Sequence, residues 1–350
     1  MGVCTSLRDN HTIISNQLKK PVTIIKTDES ESVSTKSSLT QKDDDYLLSE
    51  NYAKHDDITK YYKISSFFLG KGSSGVVCEA ESSTGEKFAI KRIFKSSLKP
   101  SHNIHKEAEF NLSINHPNII KCYEIYEDIK TISFVMELGE GGDLFDFIVN
   151  SPTGQVPLDA SIDIGEQILS TVTYLHTEKG IVHRDLKPEN FMVTINEQNH
   201  PLVKLIDFGL ATYIPKDKNI PLNEYVGTPQ YVAPEVVNHD CYDEKVDIWS
   251  TGVILFNMLT GYKPFRGESK SELNDQIQYK RVNYSMIEND AMRELVKKML
   301  DRNVKMRVSA KEALEMIRQI KKERDEMIIN EKQKDDIKEK KNKKEMKMCL

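Results

Sequence analysis

Two short runs of apolar residues, joined by a turn, lie in the first third of the chain. The first run covers residues 75–80, and the second covers residues 87–91, Lys-Phe-Ala-Ile-Lys. Residues 84–86, Thr-Gly-Glu, separate them, and a turn between two such runs predicts a β-hairpin. A further apolar run, residues 132–138, ends at Gly139 and predicts another strand that breaks into a connection.

A longer apolar stretch, residues 252–259, lies in the second half of the chain. A helix that spans a bilayer needs about 20 consecutive apolar residues, so this stretch is too short. We therefore predict that it is a buried helix in a larger, helical part of the fold.

Polar residues dominate both ends. Before about residue 61 the chain is rich in Ser, Thr, Asp and Lys, and such a segment buries too little apolar surface to offset its ordering entropy. Residues 1–61 are therefore predicted to be a disordered extension. Residues 321–350 carry eleven Lys or Arg and eight Asp or Glu, so residues 319–350 are predicted to form a charged, helical tail. A folded domain remains between residues 62 and 318.

Composition agrees with this division. The chain has 350 residues, of which 38% are hydrophobic, and chains above roughly 250–300 residues usually form more than one core. The net charge of −5 gives no general attraction to nucleic acid, so no nucleic-acid partner is expected. The five cysteines show no paired or metal-like spacing, which favours a reducing, cytoplasmic compartment.

Candidate chemistry is concentrated in two strings, residues 183–190 (His-Arg-Asp-Leu-Lys-Pro-Glu-Asn) and residues 207–209 (Asp-Phe-Gly). Phosphoryl transfer needs a carboxylate near the accepting hydroxyl, a cation on the moving phosphate and oxygen ligands for magnesium. The two strings contain all three kinds of group. Upstream, residues 70–77 have the glycine spacing of a loop that approaches phosphates closely. A dinucleotide-binding unit shares this spacing, but it would need a helix where the hairpin is predicted.

Together with Ala89-Ile90-Lys91 and Ala233-Pro234-Glu235, these motifs resemble the eukaryotic protein kinase family over about residues 62–317. The resemblance implies an α+β, bilobal fold. It has a small β-rich N-lobe, about residues 62–137, and a larger α-helical C-lobe, about residues 138–318. It also implies ATP and Mg²⁺ as cofactors. The alternative, a catalytically weak pseudokinase acting as a scaffold, would lack a catalytic residue, and none is missing.

The resemblance implies a role for each catalytic residue. Asp185 orients or deprotonates the substrate hydroxyl, and Lys187 neutralises the γ-phosphoryl group. Asn190 and Asp207 hold two Mg²⁺ ions, and Lys91 holds the α- and β-phosphates.

Lys91 requires a carboxylate partner on the helix that follows its strand. Glu107, ten residues before Pro117, has the family's usual spacing. Glu109 is a rival, although two residues further along a helix it faces a different side. We favour Glu107.

The resemblance also implies a nucleotide-binding set. The backbone of Glu137 and Gly139 is expected to bond the adenine edge, and Asp143 lies where the family has a ribose-binding acid. The full set is Leu69, Gly70, Lys71, Gly72, Ser73, Ser74, Gly75, Val76, Val77, Ala89, Lys91, Glu137, Gly139, Asp143 and Met192.

Substrate class follows from the same resemblance. A lysine two places after the catalytic aspartate accompanies serine/threonine kinases, and Thr228 resembles the threonine that bonds this lysine and aspartate. Glu189, with acids at 140 and 143, predicts a basophilic enzyme that prefers Arg three places before the acceptor.

Regulation is predicted from the segment between residues 207 and 235. In many kinases the residue at Arg184 pairs with a phosphate three places before the Gly-Thr pair, and here that place is Glu224. A carboxylate partly replaces the charge of a phosphate, so we hypothesise that no phosphorylation is needed there. Alternatively, Glu224 is a solvated loop acid.

The first six residues, Met-Gly-Val-Cys-Thr-Ser, fit N-myristoylation of Gly2. One myristoyl chain binds a membrane only marginally, and palmitoylation of Cys4 would supply the second attachment that stable anchoring needs. The chain is therefore predicted to be tethered to the cytosolic face of a membrane.

The sequences of these motifs most resemble those of the calcium/calmodulin-dependent group, and within it the calcium-dependent protein kinases. No Asp-x-Asp-x-Asp-Gly loop with a twelfth-position glutamate occurs in the sequence, so no EF-hand is expected. A calcium-sensor protein acting in trans on the charged tail is left open.

Overall fold

The N-lobe is built on a five-stranded antiparallel sheet. The computed structural model describes residues 48–49, 51–71, 75–98, 103–215, 217 and 221–348, and the side chains of residues 332 and 335–348 lie outside the description. The elements of this lobe are β1 (Tyr62–Lys71), β2 (Gly75–Ser82), β3 (Lys87–Phe94), α1 (Ile104–Ser113), β4 (Cys122–Glu127) and β5 (Thr131–Glu137). Short 3₁₀ turns cover Ile58–Lys60 and Lys95–Ser97.

The predicted hairpin is confirmed. β2 and β3 pair in register from Gly75 opposite Ile93 to Glu81 opposite Lys87. Glycine is required at position 75 because a Cβ there would lie 1.8 Å from the carbonyl oxygen of Arg92. The third apolar run forms β5, which pairs with β3 and so belongs to the interior of the sheet.

Helix α1 begins after Asn103, whose side chain accepts a hydrogen bond of 3.1 Å from the backbone N–H of Lys106. This N-cap satisfies one of the unpaired N–H groups of the first turn. Ile104 and Ala108, one turn apart, are buried with apolar residues of β3, β4 and β5. Phe110 is buried with the core of the C-lobe. Helix α1 therefore contacts both lobes.

The C-lobe is mainly helical, which confirms the predicted bilobal architecture. Its helices are α2 (Leu144–Val149), α3 (Leu158–Tyr174), α4 (Pro234–Val237), α5 (Lys245–Thr260), α6 (Lys270–Tyr279), α7 (Asp290–Met299) and α8 (Ala310–Met348). Its short strands are β6 (Gly142–Asp143), β7 (Ile181–Val182), β8 (Phe191–Ile195), β9 (Pro201–Leu205) and β10 (Thr212–Tyr213). A π-helical turn covers Leu175–Lys179, and 3₁₀ turns cover Pro188–Asn190 and Tyr284–Met286.

The apolar stretch 252–259 forms half of α5, a buried helix as predicted. Nearly every residue of this helix is buried, including Trp249 and the carboxylate of Asp247. Helix α5 packs at the centre of the C-lobe core together with α3 and α7.

The predicted boundary at residue 61 is wrong for residues 51–61 and for Leu48. The backbone N–H of Lys54 donates to Ile125 at 2.8 Å, and the N–H of Glu127 donates back to Lys54 at 3.0 Å, so this stretch runs parallel beside β4. Leu48, Ala53 and Ile58 are buried. These long-range contacts offset the ordering cost that local composition alone indicated.

The charged tail is helical, as predicted, but it is continuous with the last helix of the domain. Helix α8 begins at Ala310 and docks on α3. Lys321 Nζ lies 3.0 Å from Glu166 and 3.2 Å from Asp163, and Arg324 lies 3.0 Å from Asp163. The first turns of the tail are therefore packed rather than solvated. Within the described part of the chain, no helix is long and apolar enough to cross a bilayer.

Candidate active site

Lys91 lies between two carboxylates in the cleft. It projects from β3, and its Nζ donates to Glu107 Oε1 at 2.7 Å and to Asp207 Oδ1 at 2.6 Å. Glu109, the rival partner, instead accepts a hydrogen bond of 2.5 Å from Tyr213 in β10. The structure thus pairs Lys91 with Glu107 and not with Glu109, because residues two apart on a helix point to different sides.

The two carboxylates determine the charge state of this ion pair. Burial alone would lower the pKa of Lys91, but the charges and hydrogen bonds of Asp207 and Glu107 raise it above its ordinary value. Burial opposes ionisation of Asp207, yet the charge of Lys91 and its hydrogen bond hold the pKa of this carboxyl at about 2. At neutral pH Lys91 is therefore a cation and Asp207 an anion, and Glu107 bonds the same ammonium group from α1.

A second hydrogen-bonded group surrounds Asp185. Lys187 Nζ donates to Asp185 Oδ2 at 2.8 Å and to Thr228 Oγ1 at 2.9 Å. The Thr228 hydroxyl donates in turn to Asp185 Oδ1 at 2.7 Å. The expected contacts of Thr228 with both residues are thus present. This triangle joins residues 183–190, the catalytic loop, to the segment that ends at Glu235.

The metal-binding residues meet one requirement of a magnesium site. Asn190 Nδ2 donates to the carbonyl oxygen of Asp185 at 2.8 Å, so the amide orientation reserves its oxygen for another partner. Asp207 supplies a carboxylate held ionised by Lys91. Mg²⁺ prefers oxygen ligands of this kind, usually one or two carboxylates completed by phosphates and water. The residues present therefore fit the ion.

The buried carboxylate of Asp247 holds the backbone of the catalytic loop in position. Asp247 Oδ1 accepts from the N–H of Arg184 and Oδ2 accepts from the N–H of His183, both at 2.8 Å. His176 Nε2 lies 2.8 Å from the same Oδ2. Arg184 has a φ of 68°, a left-handed conformation that is rare outside glycine. The carboxylate of Asp247 compensates for this strain through two backbone hydrogen bonds.

The described members of the predicted nucleotide-binding set lie on β1, β2, β3, β6 and β8, or at or just beyond the end of β5. Ala89 pairs with Met136 across the sheet, and β5 ends at Glu137. Gly139 lies against Met192, since a Cβ on this glycine would be 1.7 Å from the sulfur. Leu69, Gly70 and Lys71 end β1, and Gly75, Val76 and Val77 begin β2, whereas Gly72, Ser73 and Ser74 lie outside the described residues.

Asp143 has a structural contact at the place where a ribose-binding acid is predicted. It is the N-cap of α2, and its Oδ1 accepts from the N–H of Asp146 at 2.8 Å. Burial raises the pKa of this carboxyl above its ordinary value. The cap therefore fixes the orientation of the Asp143 carboxylate.

The segment before Thr228 contacts the catalytic loop through Arg184. Its Nη1 lies 2.6 Å from Glu224 Oε2, and its Nε donates to the carbonyl of Leu210 at 2.8 Å. Tyr242 donates its hydroxyl to the carbonyl of Glu224 at 3.0 Å. The predicted pair of Arg184 and Glu224 is therefore formed, although the Glu224 side chain is 61% exposed.

Glu189 lies beside the catalytic loop in the turn Pro188–Asn190. Its Oε2 is buried and has no hydrogen-bond partner among the residues that the structure describes. The charge of Glu189 favours the protonated form of Lys263, although burial lowers the pKa of that lysine overall. A buried carboxylate oxygen without a donor is costly, so this position suits an incoming cation.

Sequence reasoning missed several contributors. His176 supports Asp247, and no motif indicates it. Tyr213 bonds Glu109, and its ring packs on Phe110 with centroids 4.9 Å apart. Burial, with the hydrogen bond to Glu109, raises the pKa of Tyr213 to about 12. These pairs join residues about 70 to 100 positions apart, and local spacing carries no information about them.

Comparison with known proteins agrees with the geometry. A family model described as protein kinase domain matches residues 62–317, so the chain belongs to the protein kinase family. It is 37% identical over 265 residues to calcium-dependent protein kinase 5 of Plasmodium falciparum, covering 74% of this chain and 45% of that protein. It is 38% identical over 255 residues to calcium-dependent protein kinase 4 of the same organism, covering 71% and 47% respectively.

A plant protein shows the same similarity. Calcium-dependent protein kinase 14 of Arabidopsis thaliana is 38% identical over 270 residues, covering 74% of this chain and 49% of that protein. This chain therefore spans about half the length of the curated relatives that it matches. Its protein kinase domain is therefore similar in sequence to part of each of these calcium-dependent protein kinases. The pseudokinase alternative is not supported, because the residues it would lack are present and in contact.

Proposed function

We propose that this protein transfers the γ-phosphoryl group of MgATP to serine or threonine residues of proteins. The observation that carries the proposal is the pair of adjoining groups in the cleft. Lys91, Glu107 and Asp207 form one, and Asp185, Lys187 and Thr228 form the other. Phosphoryl transfer depends on positioning and charge stabilisation, and these two groups provide both.

Each residue contributes a separate step. Lys91, held by Glu107, binds the α- and β-phosphates and fixes the nucleotide in the cleft. Asp185 accepts the hydrogen bond of the substrate hydroxyl and aims its oxygen at the γ-phosphorus, and Lys187 neutralises the charge that moves with the phosphoryl group. Bound Mg²⁺, held by Asn190 and Asp207, supplies charge neutralisation on the phosphate oxygens.

A basophilic preference is part of this proposal. Glu189 has a buried oxygen with no donor among the described residues, and Asp143 and the exposed Glu140 add negative charge in the same part of the sequence-predicted site. An arginine three places before the acceptor supplies donors for such carboxylates, and the resulting bonds are charge-assisted.

We expect a peptide with Arg three places before serine to be phosphorylated with a kcat/KM roughly tenfold or more above that of its Ala counterpart, since hydrogen bonds to charged groups contribute about 1.5–3 kcal/mol. Glu189→Gln should reduce this ratio and leave the Ala peptide unchanged. Steady-state assays on both peptides measure it. A preference for acidic or proline-directed peptides would refute the proposed specificity.

Independence from phosphorylation at position 224 is a second part of the proposal. Glu224→Ala should lower kcat by roughly two- to fivefold, because an ion pair with one exposed partner contributes about 0–1 kcal/mol. Exposed Asp240→Ala is the matched control and should not change kcat. Unchanged turnover in Glu224→Ala would show that Glu224 is only a solvated acid.

Membrane attachment through Gly2 and Cys4 is a third part. Both residues lie outside the described residues, and the proposal is supported by the sequence motif alone. Gly2→Ala should move the expressed protein from the membrane to the soluble fraction, and Cys4→Ser should do so partly, because a single acyl chain anchors weakly. Equal partitioning of Gly2→Ala and the unchanged protein would sink this part. A calcium-sensor partner stays a prediction.

A further inference from the structure

A short stretch before β1, residues 48–49 and 51–54, contributes Leu48 and Ala53 to the apolar core of the N-lobe. Leu48 is only 1% exposed and belongs to one apolar cluster with Ile104 and Ala108 of α1. The same cluster includes Ile125 of β4 and Ile132 of β5. Leu48 thus shares one buried apolar cluster with residues of the helix and of the sheet.

Polar contacts hold this stretch in place. The backbone N–H of Leu48 donates to Glu127 Oε2 at 2.8 Å, and this carboxylate is buried at the end of β4. Lys95 Nζ lies 2.6 Å from the other oxygen of Glu127. Further along, Lys54 forms a parallel bridge with Tyr126 and pairs with Glu124 at 2.6 Å. A buried, paired carboxylate that also receives a backbone N–H specifies the position of residue 48.

The contacts of α1 fall on different sides of the helix. Ile104 and Ala108, four residues apart, share one face of α1, and this face belongs to the apolar cluster that includes Leu48. Glu107 points from a neighbouring face towards Lys91. A loss of packing on the first face frees the helix to shift, and a shift of about 1 Å is enough to break a hydrogen bond of 2.7 Å.

We infer that Leu48 is a positioning residue for the ion pair of Lys91 and Glu107, so that residues 48–49 and 51–54 belong to the active unit. The inference rests on the proposed kinase function and adds a residue that no catalytic motif contains. Leu48 lies 43 positions before Lys91 in the sequence, and α1, which carries Glu107, links the apolar cluster of Leu48 to the ion pair.

The full chain with Leu48→Ala tests this. We expect kcat on a serine peptide to fall roughly tenfold while the KM for the peptide is unchanged, a size within the range of couplings transmitted through packed elements. Amide hydrogen exchange in α1 should become faster. Leu48→Met should restore most of the rate, because it conserves volume. Ile129→Ala, which removes an aliphatic side chain that is 81% exposed in the same lobe, should change neither quantity.

A double-mutant cycle separates positioning from general stability. In a Glu107→Gln background, Leu48→Ala should cause no further loss of kcat, because the pair it positions is already broken. An equal loss in both backgrounds, or unchanged kcat and exchange in Leu48→Ala, would overturn the inference. If the unchanged protein transfers no phosphate, the proposed function fails, and hydrogen exchange of α1 alone then decides whether Leu48 holds the helix.

Discussion

Asp185→Asn should lower kcat by about 10²–10⁴-fold with little change in the KM for ATP, because the residue acts on the substrate hydroxyl rather than on the nucleotide. Asparagine has nearly the size of aspartate. Its side-chain oxygen still accepts the hydrogen bond that Thr228 donates to Asp185 at 2.7 Å. It removes the charge that Lys187 contacts at 2.8 Å and the acceptor for the hydroxyl proton. Initial-rate measurements on a serine peptide give both constants.

The control for this prediction is Asp290→Asn on the surface of the C-lobe, where the side chain is 90% exposed. Its rate should match that of the unchanged protein. Thermal midpoints of both variants should also agree with the unchanged protein, since neither substitution alters a core. A kcat within threefold of the original for Asp185→Asn would show that Asp185 is outside the chemistry.

Of these substitutions, Arg307→Met should lower the free energy of unfolding the most. Its guanidinium, 1% exposed, donates to Glu235 Oε1 at 2.6 Å and to Oε2 at 2.9 Å, and Glu235 is itself buried. Removing one partner of a buried pair leaves an uncompensated charge and costs about 3–5 kcal/mol. Urea unfolding followed by Trp249 fluorescence reports it, because this indole lies 5.2 Å from the guanidinium.

The double variant Glu235→Leu with Arg307→Met is the control. Its loss of stability should be smaller than the sum of the two single losses, by about 0.5–3 kcal/mol, since the stranded charge is gone. Additive losses would mean that Glu235 and Arg307 are not coupled. The same variants test whether the segment that ends at Glu235 depends on this anchor, because Thr228 lies on that segment.

Much of the active site can be predicted from the sequence, because the catalytic residues of kinases lie in short sequence motifs. Asp185, Lys187 and Asn190 are within five residues, so their joint approach to one phosphate needs only one loop. The hairpin was also predictable, since β2 and β3 are joined by a short turn. Glu107 was favoured over Glu109 by spacing, and the helix geometry then gave each a different partner.

The parts that were mispredicted depend on contacts between distant residues. Local composition near Leu48 is polar, and only the groove beside α1 and β4 makes its burial favourable. The start of the tail is charged, and its position depends on acids of α3 about 155 residues earlier. His176 reaches Asp247 across 71 positions. A sequence pattern indicates secondary-structure propensity and hydrophobic periodicity. It does not show which distant residue a charged side chain will contact.

The most direct test of the central claim is transfer of label from [γ-³²P]ATP to a serine peptide by the purified chain. With Mg²⁺ present, labelled phosphoserine should form with many turnovers per enzyme, and a chelator should abolish it. Lys91, Glu107, Asp185 and Asp207 would then be acting on one nucleotide, as their contacts indicate. Absence of labelled phosphoserine from folded protein at saturating MgATP, across a library of serine and threonine peptides, would contradict the proposed function.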